Sequence, residues 1–135
     1  MDLTKSMMIS AAGMKAQSVR MRIISENLAN ADSLASTPDA EPYRRKVVSF
    51  GTELNRELGI EEVTIDRVQF DKSEFGKRYQ PGHPGADAEG YVRTPNVNSL
   101  MEVMDIKQAQ RSYEANLNAI DASKKLIMGT IDLLR

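Results

Sequence analysis

The stretch that decides the fold is residues 97–135, which read VNSLMEVMDIKQAQRSYEANLNAIDASKKLIMGTIDLLR. It contains no proline, and its one glycine is Gly129. Two positions of a heptad repeat run through it, one holding Ile106, Tyr113, Ile120, Ile127 and Leu134, the other holding Val103, Gln110, Leu117, Lys124 and Ile131. This pattern, with its two polar interruptions, predicts a long helix that packs along another helix.

The predicted helix is too long for the rest of the chain to enclose. At a rise of about 1.5 Å per residue it is on the order of 55 Å long. Twice the radius of gyration expected for a compact chain of 135 residues is only about 28 Å. The helix therefore needs a helical partner over most of its length.

A second helical pattern covers residues 3–31 and supplies that partner. Asp2 stands where an N-cap is expected. An alanine-rich apolar stripe follows at helical spacing, formed by Ile9, Ala12, Ala16, Val19 and Ile23. Asn27 and Asn30 continue this stripe, and two interpretations of them stay open. They are either seam asparagines that fix the register of the helix pair, or exposed residues near the end of the helix.

The sequence between the two helices alternates between strand-like and turn-forming composition. In chain order we predict a loop at 32–42, a strand at Tyr43–Phe50, one or two helical turns at Thr52–Leu58, a half-buried strand at Glu61–Phe70, a return strand at Phe75–Tyr79, a loop at 80–90 and an extended pair at Tyr91 and Val92. Ser99 and Glu102 have the spacing of a capping box, which starts the C-terminal helix.

The predicted fold class is mainly α with a small β insert, an α+β arrangement. We expect residues 1–32 to form the N-terminal helix, 33–96 a small β-rich middle domain and 97–135 the long C-terminal helix. The two terminal helices are expected to lie antiparallel, as a coiled-coil-like hairpin.

The composition argues against a catalytic, metal-binding or nucleic-acid-binding site. The chain has 18 basic and 19 acidic residues, so nucleic acid is not an expected partner. It has no cysteine, and His83 is its single histidine, which excludes cysteine metal sites and histidine dyads within one chain. We expect no catalytic residue, cofactor, metal or small-molecule substrate. The basic triplet Arg44, Arg45 and Lys46 is expected to form salt bridges at the surface.

No membrane span or secretory signal is visible in the sequence, so direct membrane insertion is not expected. These features alone predict a cytoplasmic protein. Two helices with apolar stripes, in a chain with no expected catalytic, cofactor or metal site, indicate an assembly protein. The stripes and the polar positions within them form the expected assembly interface: Ile9, Ala12, Ala16, Val19, Ile23, Asn27, Leu28, Asn30, Met101, Met104, Ile106, Gln110, Tyr113, Leu117, Ile120, Ile127, Ile131 and Leu134.

Four stretches resemble a known family. Ser25–Ser33 (SENLANADS) and Ala109–Asn116 (AQRSYEAN) are similar to the terminal motifs of the flagellar rod and hook axial proteins. Pro42–Val48 (PYRRKVV) and Gln80–Asn98 (QPGHPGADAEGYVRTPNVN) resemble the proximal rod members of that family. Gln80 and Ser33 depart from the family pattern, which more often has aspartate and threonine there. The resemblance covers essentially the whole chain and is weakest at residues 52–75.

The resemblance implies a structural subunit of the bacterial flagellar rod, the drive shaft that transmits torque across the periplasm, with no enzymatic activity. Its expected partners are other copies of itself, other flagellar rod proteins and the flagellar type III export apparatus. Export without a cleaved signal peptide replaces the cytoplasmic prediction. The terminal helices would form the inner layer of the rod and the middle segment a small outer domain.

Two other classes of protein remain as alternatives. A helical adaptor or secretion chaperone would also bind a partner helix, and would be stably folded in solution. A small enzyme would have to rely on metal-bound carboxylates. For the rod subunit, we hypothesise that Asn27, Asn30 and Gln110 guard against slippage of the helix pair. Replacing Asn27 and Asn30 by leucine would then stabilise the pair and impair ordered assembly.

Overall fold

The computed structural model describes residues 2–135, which form two long helices and four strands. The helices are α1 (Leu3–Ala29) and α2 (Ser99–Leu133), and the strands between them are β1 (Lys46–Asn55), β2 (Ile60–Phe70), β3 (Gly76–Tyr79) and β4 (Tyr91–Thr94). The predicted fold class, two long helices with a small β insert, is confirmed. Within residues 2–135, neither helix combines the length and the apolar character that crossing a membrane requires.

The chain packs as two compact units, and both helices contribute to each unit. Unit 1 contains α1 as far as Met21, residues Val48–Arg67 and α2 from Lys107 onward. Unit 2 contains residues Arg22–Val47 and Val68–Ile106. The expected division of the chain at residues 32 and 96 stays a prediction.

In unit 1 the two helices run antiparallel, as expected. Asn116 of α2 lies against Gly13 of α1, with side-chain atoms 2.9–3.1 Å from where a Cβ on Gly13 would stand. Further along, the Arg20 Nη2 donates to the Gln108 Oε1 at 3.4 Å. As the residue number rises in α1 it falls in α2. At the start of α1, the Asp2 Oδ1 accepts from the Thr4 backbone N–H at 3.2 Å, which confirms the predicted N-cap.

The β1–β2 pair is an extended two-stranded sheet, and the helical turns predicted at Thr52–Leu58 are wrong. β1 continues through that segment to Asn55, and a tight turn follows. The Gly59 N–H donates to the Asn55 carbonyl at 2.8 Å, and Gly59 has a φ of 63°, which glycine adopts at little cost. Pairing with β2 therefore overrides the local helical preference of this segment.

In unit 2, the predicted return strand forms as β3, and its partner is β4 rather than β2. The two strands are antiparallel, with Gly76 opposite Thr94 and Tyr79 opposite Tyr91. The two tyrosine rings pack edge to face with their centroids 5.3 Å apart. The loop at 80–90 is closed by a hydrogen bond from the Gln80 N–H to the Gly90 carbonyl at 2.9 Å.

The long helix begins where predicted, although the capping group is a different residue. The Asn98 Oδ1 accepts from the backbone N–H groups of Leu100 and Met101 at 3.1 and 3.3 Å. Asn98 is therefore the N-cap, and the capping box assigned to Ser99 and Glu102 is wrong. The Glu102 side chain is buried and bonds elsewhere, because it pairs with groups of α1 and of the segment that enters β1.

Candidate assembly surface

The face of α2 that the chain itself covers follows a heptad repeat; we call it the inner seam. In unit 1 it consists of Ala109, Tyr113, Asn116, Ile120, Ser123 and Ile127, which are buried or half-buried. One predicted heptad position is therefore right as far as Ile127, since Tyr113, Ile120 and Ile127 belong to it, but its last predicted member, Leu134, is exposed.

The other predicted position is wrong by one residue. In unit 1 its predicted members Gln110, Leu117 and Lys124 are exposed, and Ala109 and Ser123 are buried instead. The facing Ala16 of α1 is buried as well. Small side chains allow two helices to approach closely, so the buried position is the one with the least bulk rather than the most apolar one.

Unit 1 also leaves an apolar stripe of α2 uncovered, which we call the outer stripe. Its members are Ala115, Ala119, Ala122, Leu126, Gly129 and Leu133, all exposed. They follow one another at alternating steps of four and three residues, and at 100° per residue they lie about 120° around the helix from the inner seam. All the charged residues of α2 lie outside the outer stripe. A helix that is apolar on two sides is typical of one covered on both.

Two more exposed apolar regions are Met101 with Met104, on α2, and residues 128–135, which share Gly129 and Leu133 with the outer stripe and continue two residues past the end of α2. In unit 2, Met101 and Met104 are 58% and 64% exposed. In unit 1, every residue from Met128 to Arg135 is exposed, and Leu133 and Leu134 are 88% and 83% exposed. We call residues 128–135 the distal end of α2.

The residues predicted from sequence to form the assembly interface fall into two groups. Those covered or partly covered within the chain are Ile9, Ala12, Ala16, Val19, Ile23, Asn27, Leu28, Asn30, Ile106, Tyr113, Ile120 and Ile127. Those exposed are Met101, Met104, Gln110, Leu117, Ile131 and Leu134. The role of all of them in assembly stays a prediction. The outer stripe was not predicted from the sequence. Its three alanines, Ala115, Ala119 and Ala122, recur at heptad spacing and could have indicated it.

Asn27 is the centre of a buried polar cluster in unit 2, and its side chain is only 1% exposed. Its Nδ2 donates to the Lys46 carbonyl at 2.8 Å and to the Glu102 Oε2 at 3.3 Å. Its Oδ1 accepts from the Lys46 N–H and the Tyr43 hydroxyl, both at 2.9 Å. Asn27 is thus buried and bonds to Glu102 of α2, in line with the seam interpretation, and the interpretation of Asn27 as an exposed residue is wrong. Its bonds to the first residue of β1 were not anticipated from the sequence. Burial raises the pKa of the Tyr43 hydroxyl.

Asn30 has a local role instead. Its Nδ2 donates to the Glu26 carbonyl at 2.8 Å, and its Oδ1 accepts from the Ser33 hydroxyl at 3.1 Å. These two bonds satisfy groups at the C-terminal end of α1. Because Asn27 satisfies buried polar groups, replacing it by leucine would destabilise unit 2, which reverses the hypothesis drawn from the sequence.

Arg45 holds the acidic groups of the same cluster together. Its Nε donates to the Glu102 Oε1, its Nη1 lies 3.3 Å from the Asp71 Oδ2, and its Nη2 lies 3.8 Å from the Asp105 Oδ2. Burial acts to lower the pKa of Arg45, but the hydrogen bonds and charges of Glu102 and Asp71 outweigh it and raise the pKa. Hydrogen bonds from Ser73, followed by the Arg45 charge, lower the pKa of Asp71.

The other members of the basic triplet are also occupied within the chain. The Arg44 Nη1 donates to the Asp71 carbonyl at 2.9 Å, and the Arg44 guanidinium lies 4.2 Å from the centre of the Phe75 ring. The Lys46 Nζ lies 3.0 Å from the Glu26 Oε2, and this hydrogen bond lowers the pKa of Glu26. The Arg44 Nη2 also lies 3.9 Å from the Glu41 Oε1, so all three residues form salt bridges as predicted. The predicted surface location is wrong for Arg45, whose partner Glu102 is buried.

The single histidine and the acidic side chains are the possible metal ligands of this chain. In residues 2–135, no cluster of three or more histidine, aspartate or glutamate side chains is placed to hold a metal ion. The His83 Nδ1 accepts from the Gly85 N–H at 2.9 Å, and so folds its own loop. The arrangement can present apolar helix faces to other chains.

Comparison with known proteins gives consistent matches. A family model described as flagellar basal body rod FlgEFG protein C-terminal matches residues 88–133. The flagellar basal-body rod protein FlgC of Agrobacterium fabrum is 47% identical over 133 residues, covering 98% of this chain and 96% of the relative. The FlgC of Bacillus subtilis is 38% identical, with 95% of each chain covered. The FlgC of Salmonella typhimurium is 36% identical, covering 93% of this chain and 92% of the relative.

Proposed function

This chain belongs to the FlgC family of flagellar basal-body rod proteins, and we propose that it is a structural subunit of the bacterial flagellar rod. It is not an enzyme, in keeping with that family. In this proposal it assembles with other copies of itself and with other rod proteins into the shaft that transmits torque across the periplasm.

The observation that carries the proposal is the outer stripe of α2. One side of α2 is already covered by α1, through the inner seam. The outer stripe exposes a second apolar surface with small residues at Ala115, Ala119 and Ala122, which suits close contact with a helix of another subunit. Contacts between two different surfaces of a subunit build a helical array when they do not close into a ring.

The inner seam supports a subunit that is exported before it folds. Each alanine or serine in the seam, where a leucine would be expected, forgoes roughly 2 kcal/mol of apolar burial. The isolated chain is therefore expected to be only marginally stable, and its helices to gain stability on assembly. We infer that it passes unfolded through the flagellar type III export apparatus to the periplasmic rod.

The experiment that tests the proposal places one charge in the outer stripe. Ala119→Glu puts a carboxylate in the stripe, and Asn118→Glu puts the same carboxylate on the neighbouring exposed position outside it. Each variant is expressed in a bacterium whose own copy of the gene is deleted. We expect Asn118→Glu to restore swimming and Ala119→Glu to be exported but absent from purified basal bodies.

Two outcomes would count against the proposal, one by rejecting the outer stripe and the other by rejecting the rod function. If Ala119→Glu swims and enters basal bodies as well as Asn118→Glu does, the outer stripe is not an assembly surface. If the unsubstituted chain itself does not enter basal bodies, the rod function is wrong. The alternative of a helical adaptor or secretion chaperone has no support among the relatives named above.

A further inference from the structure

Unit 1 contains an open groove between α1 and the β1–β2 pair, with a volume of about 880 Å³. One wall is formed by Met8, Ala12 and Val19 of α1, and the other by Leu58, Val63 and Ile65. Met8 and Val63 are 38% and 39% exposed. An apolar surface that is concave and open to solvent is typical of a binding site for another chain.

The rim of the groove is acidic. Glu53, Glu57 and Glu62 line it from the β1–β2 pair, and Lys15 lines it from α1. Glu62 is held in place by the Asn55 Nδ2, which donates to its Oε1 at 3.2 Å. Three carboxylates against one ammonium leave the rim with an excess of negative charge. The groove therefore favours an apolar segment with basic flanks.

The distal end of α2 has these properties. Residues 128–135 are all exposed and include Ile131, Leu133 and Leu134. Lys124 and Lys125 precede this segment and Arg135 ends it, against one acidic residue within it, Asp132. Its charge and its apolar residues complement those of the groove.

The sizes also agree. Of these residues, 128–133 are helical and make about 1.7 turns, and a helix about 10 Å wide occupies roughly 420 Å³ per turn. This helical part would thus take up roughly 700 Å³, which fits within the groove volume of about 880 Å³.

We propose that the distal end of α2 of one copy of this chain binds in the groove of a second copy. This inference rests on the proposed function, because it supplies one of the contacts between successive subunits. The contact is heterologous, since the groove and the distal end are different surfaces, and so it can be repeated from copy to copy.

The chain has no cysteine, so a single introduced thiol reports on one position. One sample carries Leu58→Cys in the groove, and a second carries Leu134→Cys in the distal end. The two are mixed and treated with a short bismaleimide, which can join them only between copies. We expect a crosslinking yield about tenfold above that of Leu58→Cys mixed with Asn118→Cys, because binding raises the local concentration of the thiol.

A second groove position and a charge exchange make the test independent of any one substitution. Val63→Cys should crosslink to Leu134→Cys in the same way. At low salt, Glu57→Lys in the groove chain should lower the yield roughly two- to fivefold. Lys125→Glu in the other chain should restore it.

The proposal is overturned if the Leu134→Cys yield equals the Asn118→Cys yield, or if the groove crosslinks to Ala119→Cys in the outer stripe instead. Loss of yield in Glu57→Lys without rescue by Lys125→Glu also counts against it. Failure of the groove crosslink in a chain that still enters basal bodies rejects this contact alone and leaves the rod function standing.

Discussion

Replacing Glu102 by glutamine should destabilise unit 2 by about 2–3 kcal/mol. The Glu102 side chain is buried, with a relative exposure of 1%. It pairs with the Arg45 Nε through Oε1 and accepts from Asn27 through Oε2. Removing one member of a buried ion pair typically costs about 3–5 kcal/mol. The expected cost is lower because Arg45 is 24% exposed and retains Asp71 at 3.3 Å.

The measurement is urea unfolding followed by far-ultraviolet circular dichroism, with the free energy of unfolding obtained from the midpoint and slope. Because the isolated chain is expected to be only marginally stable, a fixed concentration of trimethylamine oxide is added to keep the folded state populated. The matched control is Asp105→Asn, because Asp105 faces the same guanidinium at 3.8 Å and is 35% exposed. That change should cost less than about 1 kcal/mol. Equal losses in the two variants would refute the view that Glu102 is the anchor of the cluster.

Three other predictions follow from individual contacts in the two units. Asn27→Leu should destabilise unit 2 by about 2–4 kcal/mol, because it leaves buried polar groups without partners. Gly13→Ala should stabilise the helix pair by about 1 kcal/mol only in a chain that also carries Asn116→Ala, since the new Cβ would otherwise meet the Asn116 side chain at 2.9 Å. Stability should fall as the pH drops below about 4, because hydrogen bonds hold the pKa values of Asp71 and Asp87 below their ordinary 3.8. The unfolded chain then binds these protons more readily than the folded one.

All three are read from urea midpoints, each against its own comparison. Asn30→Leu serves as the control for the Asn27 change, because it lies on the same helix and makes only local bonds; a similar loss in both variants would contradict the assignment of Asn27. Equal gains from Gly13→Ala with and without Asn116→Ala would show that the close approach does not matter. For the acid dependence, Asp71→Asn should flatten the decline, and an unchanged pH profile would count against the role of that carboxylate.

The long helices could be predicted from the sequence because they depend on periodicity over many residues. Tyr113, Ile120 and Ile127 recur at one heptad position, and the structure covers them. The second heptad position of α2 could not be predicted in the same way. Where two helices approach closely, the buried side chains are the small ones rather than the large apolar ones. Ala109 and Ser123 are buried because they are small, whereas a search for apolar residues selects Leu117.

The polar cluster of unit 2 was beyond local sequence reasoning for a different reason. Glu102 has the sequence spacing of a capping residue. In the folded chain it pairs instead with Arg45, which is distant in sequence. Asn27 likewise bonds to Lys46 across a long loop. Such contacts depend on tertiary structure. The strand conformation of residues 52–55 does so too, because it results from pairing with β2.

The central claim is that another subunit covers the outer stripe of α2 in the assembled rod. The most direct measurement is the rate at which a maleimide labels Ala119→Cys in the free chain and in purified basal bodies, with Asn118→Cys for comparison. We expect assembly to slow labelling at position 119 by at least about tenfold, because close packing between subunits keeps the reagent away from the thiol, and to slow it less at position 118. Equal labelling of Ala119→Cys in the free and assembled states would show that no other subunit covers the outer stripe.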